Sequence, residues 1–174
     1  MALIKFLKAF NLGKANGFKV SEKIILNQNP NKVWELISSK NALELFHPYC
    51  LKNDVIDYEK KDKLVYLNGL TYIREFSAWK PNNGFELSIG KKGGKKSKVQ
   101  WEIKILDRGC EVKISVFPYK SSKIPKYIYP IVNIFIVKPK LRKYLLSVLT
   151  GLKFYLDTNV KVKKNQFGKH SWFS

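Results

Sequence analysis

Arginine is almost missing from this chain. Of 33 basic residues in 174, only Arg74, Arg108 and Arg142 are arginine, and the rest are lysine. The formal net charge is +20. Such a charge invites nucleic acid or an anionic membrane as partner. Base edges and phosphate forks favour the planar guanidinium, however, and the lysines are spread along the whole chain as on a solvated surface. Scarce arginine argues against nucleic-acid readout. Scattered lysines predict a weak anionic membrane contact that salt screens.

Soft and nucleophilic residues are also few. Two cysteines, Cys50 and Cys110, give no disulfide framework, and a reduced, cytoplasmic setting is expected. A zinc quartet would require both to converge with His47 and His170, the only histidines. No metal and no cofactor is therefore expected. Long apolar runs are lacking too. The longest stretch, YIYPIVNIFIV (127–137), is far short of the ~20 residues of a spanning helix, and it contains Pro130 and Asn133. Lys5 and Lys8 break any secretory signal in the first residues.

What is present is a globular composition, 45% hydrophobic and 14% aromatic. One domain over 18–174 is the simplest reading, preceded by an extension at 1–17. Leu3, Phe6, Leu7 and Phe10 share one helical face in that extension. This fits either a short helix packed on the domain or an interfacial membrane anchor.

Residues 18–26 alternate as a strand, with Phe18, Val20, Ile24 and Leu26 on one face and Glu22 among them. Asn29 and Pro30 then predict a helix start, with Val33, Trp34, Leu36 and Ile37 as the apolar face. Asn41 can restart a second short helix that Pro48 helps to end. Strands follow at 63–67, 70–79, 85–89, 98–106 and 111–117, joined by Asn68-Gly69, KPNNG, a basic glycine loop and Asp107-Arg108-Gly109. Residues 118–138 are apolar, prolyl and basic without a clean period. From Pro139 a long helix is readable, with Leu141, Tyr144, Leu145, Val148, Leu152, Tyr155 and Leu156 in one stripe and Asn159 as a left-handed cap. The tail carries Phe167, Trp172 and Phe173, which predicts that it packs back on the body.

The order strand, two short helices, meander, long helix resembles the Bet v 1-like, or START-like, superfamily, and within it the bacterial SRPBCC (polyketide cyclase/dehydrase-like) family. The likeness rests on NPNKVWELISS, FHP, YLNGLTYIREFSAWKPNNGFELSI and LLSVLTGLKFYLDTN…NQFGKHSWF, and covers about 18–174. It implies an α+β helix-grip fold: a curved antiparallel sheet around the C-terminal helix, with a cavity between them for an apolar or amphipathic molecule. Some relatives are cyclases or hydrolases, and many only bind or carry ligands.

Alternation then assigns inner faces. In 70–79 the inner set is Leu70, Tyr72, Arg74, Phe76 and Ala78, and the outer set ends at Trp79. Trp101 faces inward from 98–106. Arg74 is the informative residue, because a buried guanidinium needs partners. It either pairs with Glu22 or another acid, or forks a ligand carboxylate or phosphate. Gly151 costs the helix ~1 kcal/mol relative to alanine, so a side chain such as Trp101, or a ligand, comes close there. The candidate ligand-binding residues are Arg74, Tyr72, Glu22, Phe76, Trp101, Tyr144, Val148, Gly151, Tyr155 and His47. FHPYC (46–50) reads as a bend lining the pocket mouth, since only the remote Asp54 is at hand to orient a His47–Cys50 pair.

Three functions compete. One is small-molecule binding or transport. Another is a cyclase or hydrolase using Tyr72, Glu22 or His47 as acid or base, against which stands the lack of any paired-carboxylate, triad or metal spacing. The third is peripheral binding of anionic membrane or nucleic acid, supported by lysines clustered at 91–98 and 138–143. A lipid carrier touching anionic membranes would combine the first and third, with the apolar-basic stretch 118–143 as its contact.

Overall fold

A computed structural model describes residues 18–120, 125 and 127–174. The amphipathic stretch expected at 1–17 lies outside the described residues. Strands β1 (Val20–Leu26), β2 (Cys50–Asp57), β3 (Lys61–Tyr66), β4 (Thr71–Lys80), β5 (Gly84–Gly90), β6 (Ser97–Ile105) and β7 (Cys110–Phe117) form one curved antiparallel sheet. Its order is β1-β7-β6-β5-β4-β3-β2. The helices are α1 (Pro30–Ser38), α2 (Leu43–Phe46), α3 (Tyr129–Val132) and α4 (Lys138–Thr158).

Local chemistry explains most boundaries. The Asn29 side chain accepts the Asn31 N–H at 2.9 Å, and Pro30 opens α1 where its missing N–H costs nothing. Asn159 closes α4 in the left-handed region at φ 55°. Along α4, Leu141, Leu145, Val148, Leu152 and Leu156 are buried. Each fully buried leucine contributes ~1.5–3 kcal/mol of transfer energy. This stripe is what the sheet grips.

Three features depart from the sequence reading. The first is β2, which was not expected as a strand. Its burial runs against the usual pattern: Asn53 is buried while Leu51 and Ile56 are exposed. Register shifts at both ends break its alternation. The second is a bulge in β4 between Phe76 and Ala78. The extra residue reverses the faces beyond it. Trp79, expected outside, pairs with the buried Phe85 and packs on Trp34 at 5.4 Å, while Ala78 faces outward opposite Glu86. The third is that 118–138 is not shapeless. Helix α3 runs through a π turn, Asn133–Val137, into α4. Lys138 N–H bonds to the Asn133 carbonyl five residues back. Pro139 has no N–H to offer the carbonyl of Phe135, and the wider turn sits immediately before it.

The tail packs back as expected. Val162 N–H donates to the Leu45 carbonyl and Asn165 N–H to the Pro48 carbonyl, both at 2.9 Å. Phe173 stacks on Tyr66 at 4.3 Å.

Candidate functional site

Sheet and α4 do not close completely on each other. They enclose a cavity of about 690 Å³. This lies within the usual range for small-molecule sites, ~300–1,000 Å³. Leu87, Val99, Trp101 and Ile114 wall it from the sheet, and Leu145 and Val148 from the helix. Lys91, Lys95 and Tyr119 also border it.

One part of the wall is polar. His47, Tyr66, Tyr72, Arg74 and Tyr144 meet there. The His47 tautomer follows from its neighbours. Nδ1 accepts the Tyr49 N–H at 3.1 Å, so the proton sits on Nε2, which donates to the Tyr144 hydroxyl at 2.8 Å. Tyr144 and Tyr66 hydroxyls lie 3.2 Å apart. Burial, with the nearby Arg74 charge, pulls the His47 pKa down to about 3, so the ring is neutral. Burial pushes Tyr66, Tyr72 and Tyr144 upward, and all three stay protonated.

Arg74 lies on this wall but not with the partner first considered. Asp62 stands opposite it on β3. Nε donates to Oδ1 at 2.7 Å and Nη2 to Oδ2, a two-point fork buried on both sides. Glu22 does turn inward, yet it pairs with Arg142 Nε at 2.5 Å and ties β1 to α4 outside the cavity wall. Asp62 shares the inward parity of Leu64 and Tyr66. The expected strand began at 63, one residue too late to show it.

Tyr72, Arg74, Trp101, Tyr144, Val148 and His47 therefore line the cavity, and Glu22, Phe76, Gly151 and Tyr155 do not. Phe76 instead joins Trp79 and Phe85 at 5.1 and 5.4 Å in an aromatic cluster. Gly151 admits neither Trp101 nor a ligand. A Cβ there would meet the Phe46 carbonyl oxygen at 2.1 Å, so glycine lets the end of α2 dock on α4. FHPYC is a bend, but His47 lies deeper than a mouth residue, only 5% exposed. Burial pushes the Cys50 thiol up to about 12, so no thiolate is available to it. Asp54 is engaged by Lys52 and Lys63.

Residues missed in the sequence complete the site. Tyr66 and Asp62 are two of them. Asn133, in the π turn, is a third: it is 6% exposed and lines the cavity. Its only sequence signal is a polar residue within an apolar run. His170 repeats the His47 device in the tail. Nδ1 accepts the Trp172 N–H at 3.2 Å and Nε2 donates to the Lys140 carbonyl at 3.0 Å. This holds Phe173 over Tyr66 and Tyr144, beside the polar part of the wall.

No family model and no curated protein matches the chain. Solved structures do. A START superfamily protein from Mycobacterium smegmatis superposes with TM-score 0.66 at 12% identity, over 83% of this chain and 100% of that one. The Bet v 1 allergen Ara h 8.0201 gives 0.59 at 14%, over 83% and 100%. DynU16, from the dynemicin biosynthetic locus, gives 0.65 at 12%, over 86% of this chain and 51% of its own, so the chain spans about half of that protein. The chain has the helix-grip fold of the Bet v 1-like, START-like superfamily.

Proposed function

We propose that this protein binds and carries an apolar or amphipathic small molecule in the cavity, with an uncharged hydrogen-bonding group of the ligand against His47, Tyr66 and Tyr144. The observation that carries this reading is the charge balance of the polar wall. Asp62 offsets Arg74, His47 is neutral and the tyrosines are protonated. A carboxylate or phosphate there would find the guanidinium already forked, so a hydroxyl or carbonyl fits better. A charged head fits at Lys91 and Lys95 instead. The fold supports ligand binding in general, and the two buried free cysteines fit a reducing, cytoplasmic setting.

A cyclase or hydrolase draws less support. His47 already uses Nδ1 to accept a backbone N–H and has its pKa near 3, which makes it a weak base at neutral pH. Nucleic acid draws less as well, because the basic surface is nearly all lysine. A membrane is the better source of an apolar ligand.

Native mass spectrometry with organic extraction tests the proposal by identifying any co-purified molecule. Titration with the neutral fluorophore N-phenyl-1-naphthylamine complements it. Expected are saturable binding, competition by long-chain alcohols, and weaker alcohol binding in Tyr144→Phe. No bound molecule and no saturable uptake of the fluorophore would overturn the proposal.

A further inference from the structure

We infer that the helical segment 127–146 is a bilayer-docking face, on which Ile131, Ile134, Phe135 and Ile136 enter the interface of an anionic membrane. This deepens the membrane half of the proposed function and does not depend on what fills the cavity.

The segment has two faces. Asn133, Val137, Leu141, Tyr144 and Leu145 turn toward the cavity. On the other side, Tyr127 and Phe135 are 74% and 73% exposed, and Ile131, Ile134, Ile136 and Leu146 are exposed as well. The π turn contributes directly, because the three consecutive residues Ile134, Phe135 and Ile136 all stand in solvent. Isolated exposed apolar residues are ordinary, but a contiguous group of this kind marks an interaction surface.

Charge selects the occupant. Between Glu111 and Asp157 the sequence has no acidic residue. Lys138, Lys140, Arg142 and Lys143 follow the apolar group on the same helix, and Lys91 and Lys95 border the cavity beside it. A second copy docked by two-fold symmetry would set these cations near their own equivalents, with no acid in the segment to offset them. Anionic headgroups over an apolar layer match both features, as with helices that lie in the membrane interface. Among the described residues no helix is long and apolar enough to cross a membrane, so docking is superficial. Because the opposite face of the same helix lines the cavity, a docked protein places that wall next to lipid.

This changes the salt behaviour expected from scattered lysines alone. Lysines bring the protein to the surface, and insertion of Phe135 and its neighbours resists release. The full chain carrying Phe135→Cys is labelled with an environment-sensitive dye, since Cys50 and Cys110 are buried. Vesicles of phosphatidylcholine with and without phosphatidylglycerol are then added. The emission is expected to shift blue only with phosphatidylglycerol, and to hold when salt is raised to about 1 M, where the Debye length is ~3 Å. Phe135→Asp is expected to weaken vesicle binding about tenfold or more, with unchanged melting temperature and unchanged N-phenyl-1-naphthylamine binding. Equal vesicle binding by Phe135→Asp and the parent overturns the inference. So does a dye already in an apolar setting without vesicles, which would mean that a second copy or residues 1–17 cover the face. Loss of fluorophore uptake with vesicle binding intact would remove the cavity reading alone.

Discussion

Asp62 and Arg74 face each other across β3 and β4 and form a two-point ion pair inside the fold. The pair makes a charged position in the sheet neutral at the wall of an apolar cavity. Arg74 also lies over the Phe76 ring at 5.3 Å. Both features tie the cation to the protein and leave little of it for a ligand anion.

Arg74→Met should therefore destabilise the free protein by ~3–5 kcal/mol, because it strands the Asp62 charge. Arg74→Met with Asp62→Leu should recover most of that loss, since an apolar pair of similar size replaces a buried ion pair at little cost. Urea unfolding of the two variants checks this. A double variant as unstable as the single one would show that the stranded carboxylate is not the cause.

Gly151→Ala sets two effects against each other. Alanine favours the helix by ~1 kcal/mol. Its Cβ, however, would lie 2.1 Å from the Phe46 carbonyl oxygen, a backbone atom held by the α2 turn. Relieving that overlap costs ~1–3 kcal/mol or more. The clash is expected to win, giving a net loss of ~1–2 kcal/mol and a lower melting temperature. A stabilised variant would mean that the end of α2 moves away freely.

The limits of the sequence lie where periodicity fails. Strand alternation found Arg74, Tyr72 and Trp101 because β4 keeps period two as far as Phe76, and β6 keeps it through Trp101. It misplaced Trp79 because the bulge before Ala78 has no residue signature. It missed β2 because Asn53 is buried and satisfied by hydrogen bonding, with its side chain donating to the Lys63 carbonyl and its N–H to Glu44. The π turn was illegible for the same reason, since one extra residue per turn shifts the apolar stripe out of phase. The identity of the Arg74 partner depended on where β3 begins, and boundaries are the least secure part of any pattern reading. Asn159, by contrast, was readable from one residue, because its left-handed role is local.

His47 makes acid stability a measurable property of the site. The unfolded chain protonates it near 6.5, whereas the folded protein does so only near 3. Between those values the unfolded state binds more protons, so stability falls as pH falls. The loss from this residue begins near the ordinary histidine range and reaches ~3 kcal/mol by about pH 4. His170 is shifted in the same direction by burial. Asp54, Glu75, Glu86, Glu111 and Asp157 are held low by lysine contacts, so they also lose stabilisation in acid, starting nearer the carboxylate range. These contributions are common to the parent and to His47→Gln, so the difference between the two proteins isolates His47. Glutamine keeps a donor for Tyr144 and does not titrate. The variant should be less stable than the parent at pH 7, and the gap should shrink by ~3 kcal/mol as pH falls to about 4. Urea unfolding at a series of pH values gives that gap directly. A gap that stays constant from pH 7 to 4 would mean that His47 takes up its proton in the folded protein as readily as in the unfolded one, and that the polar wall is not the neutral surface described above.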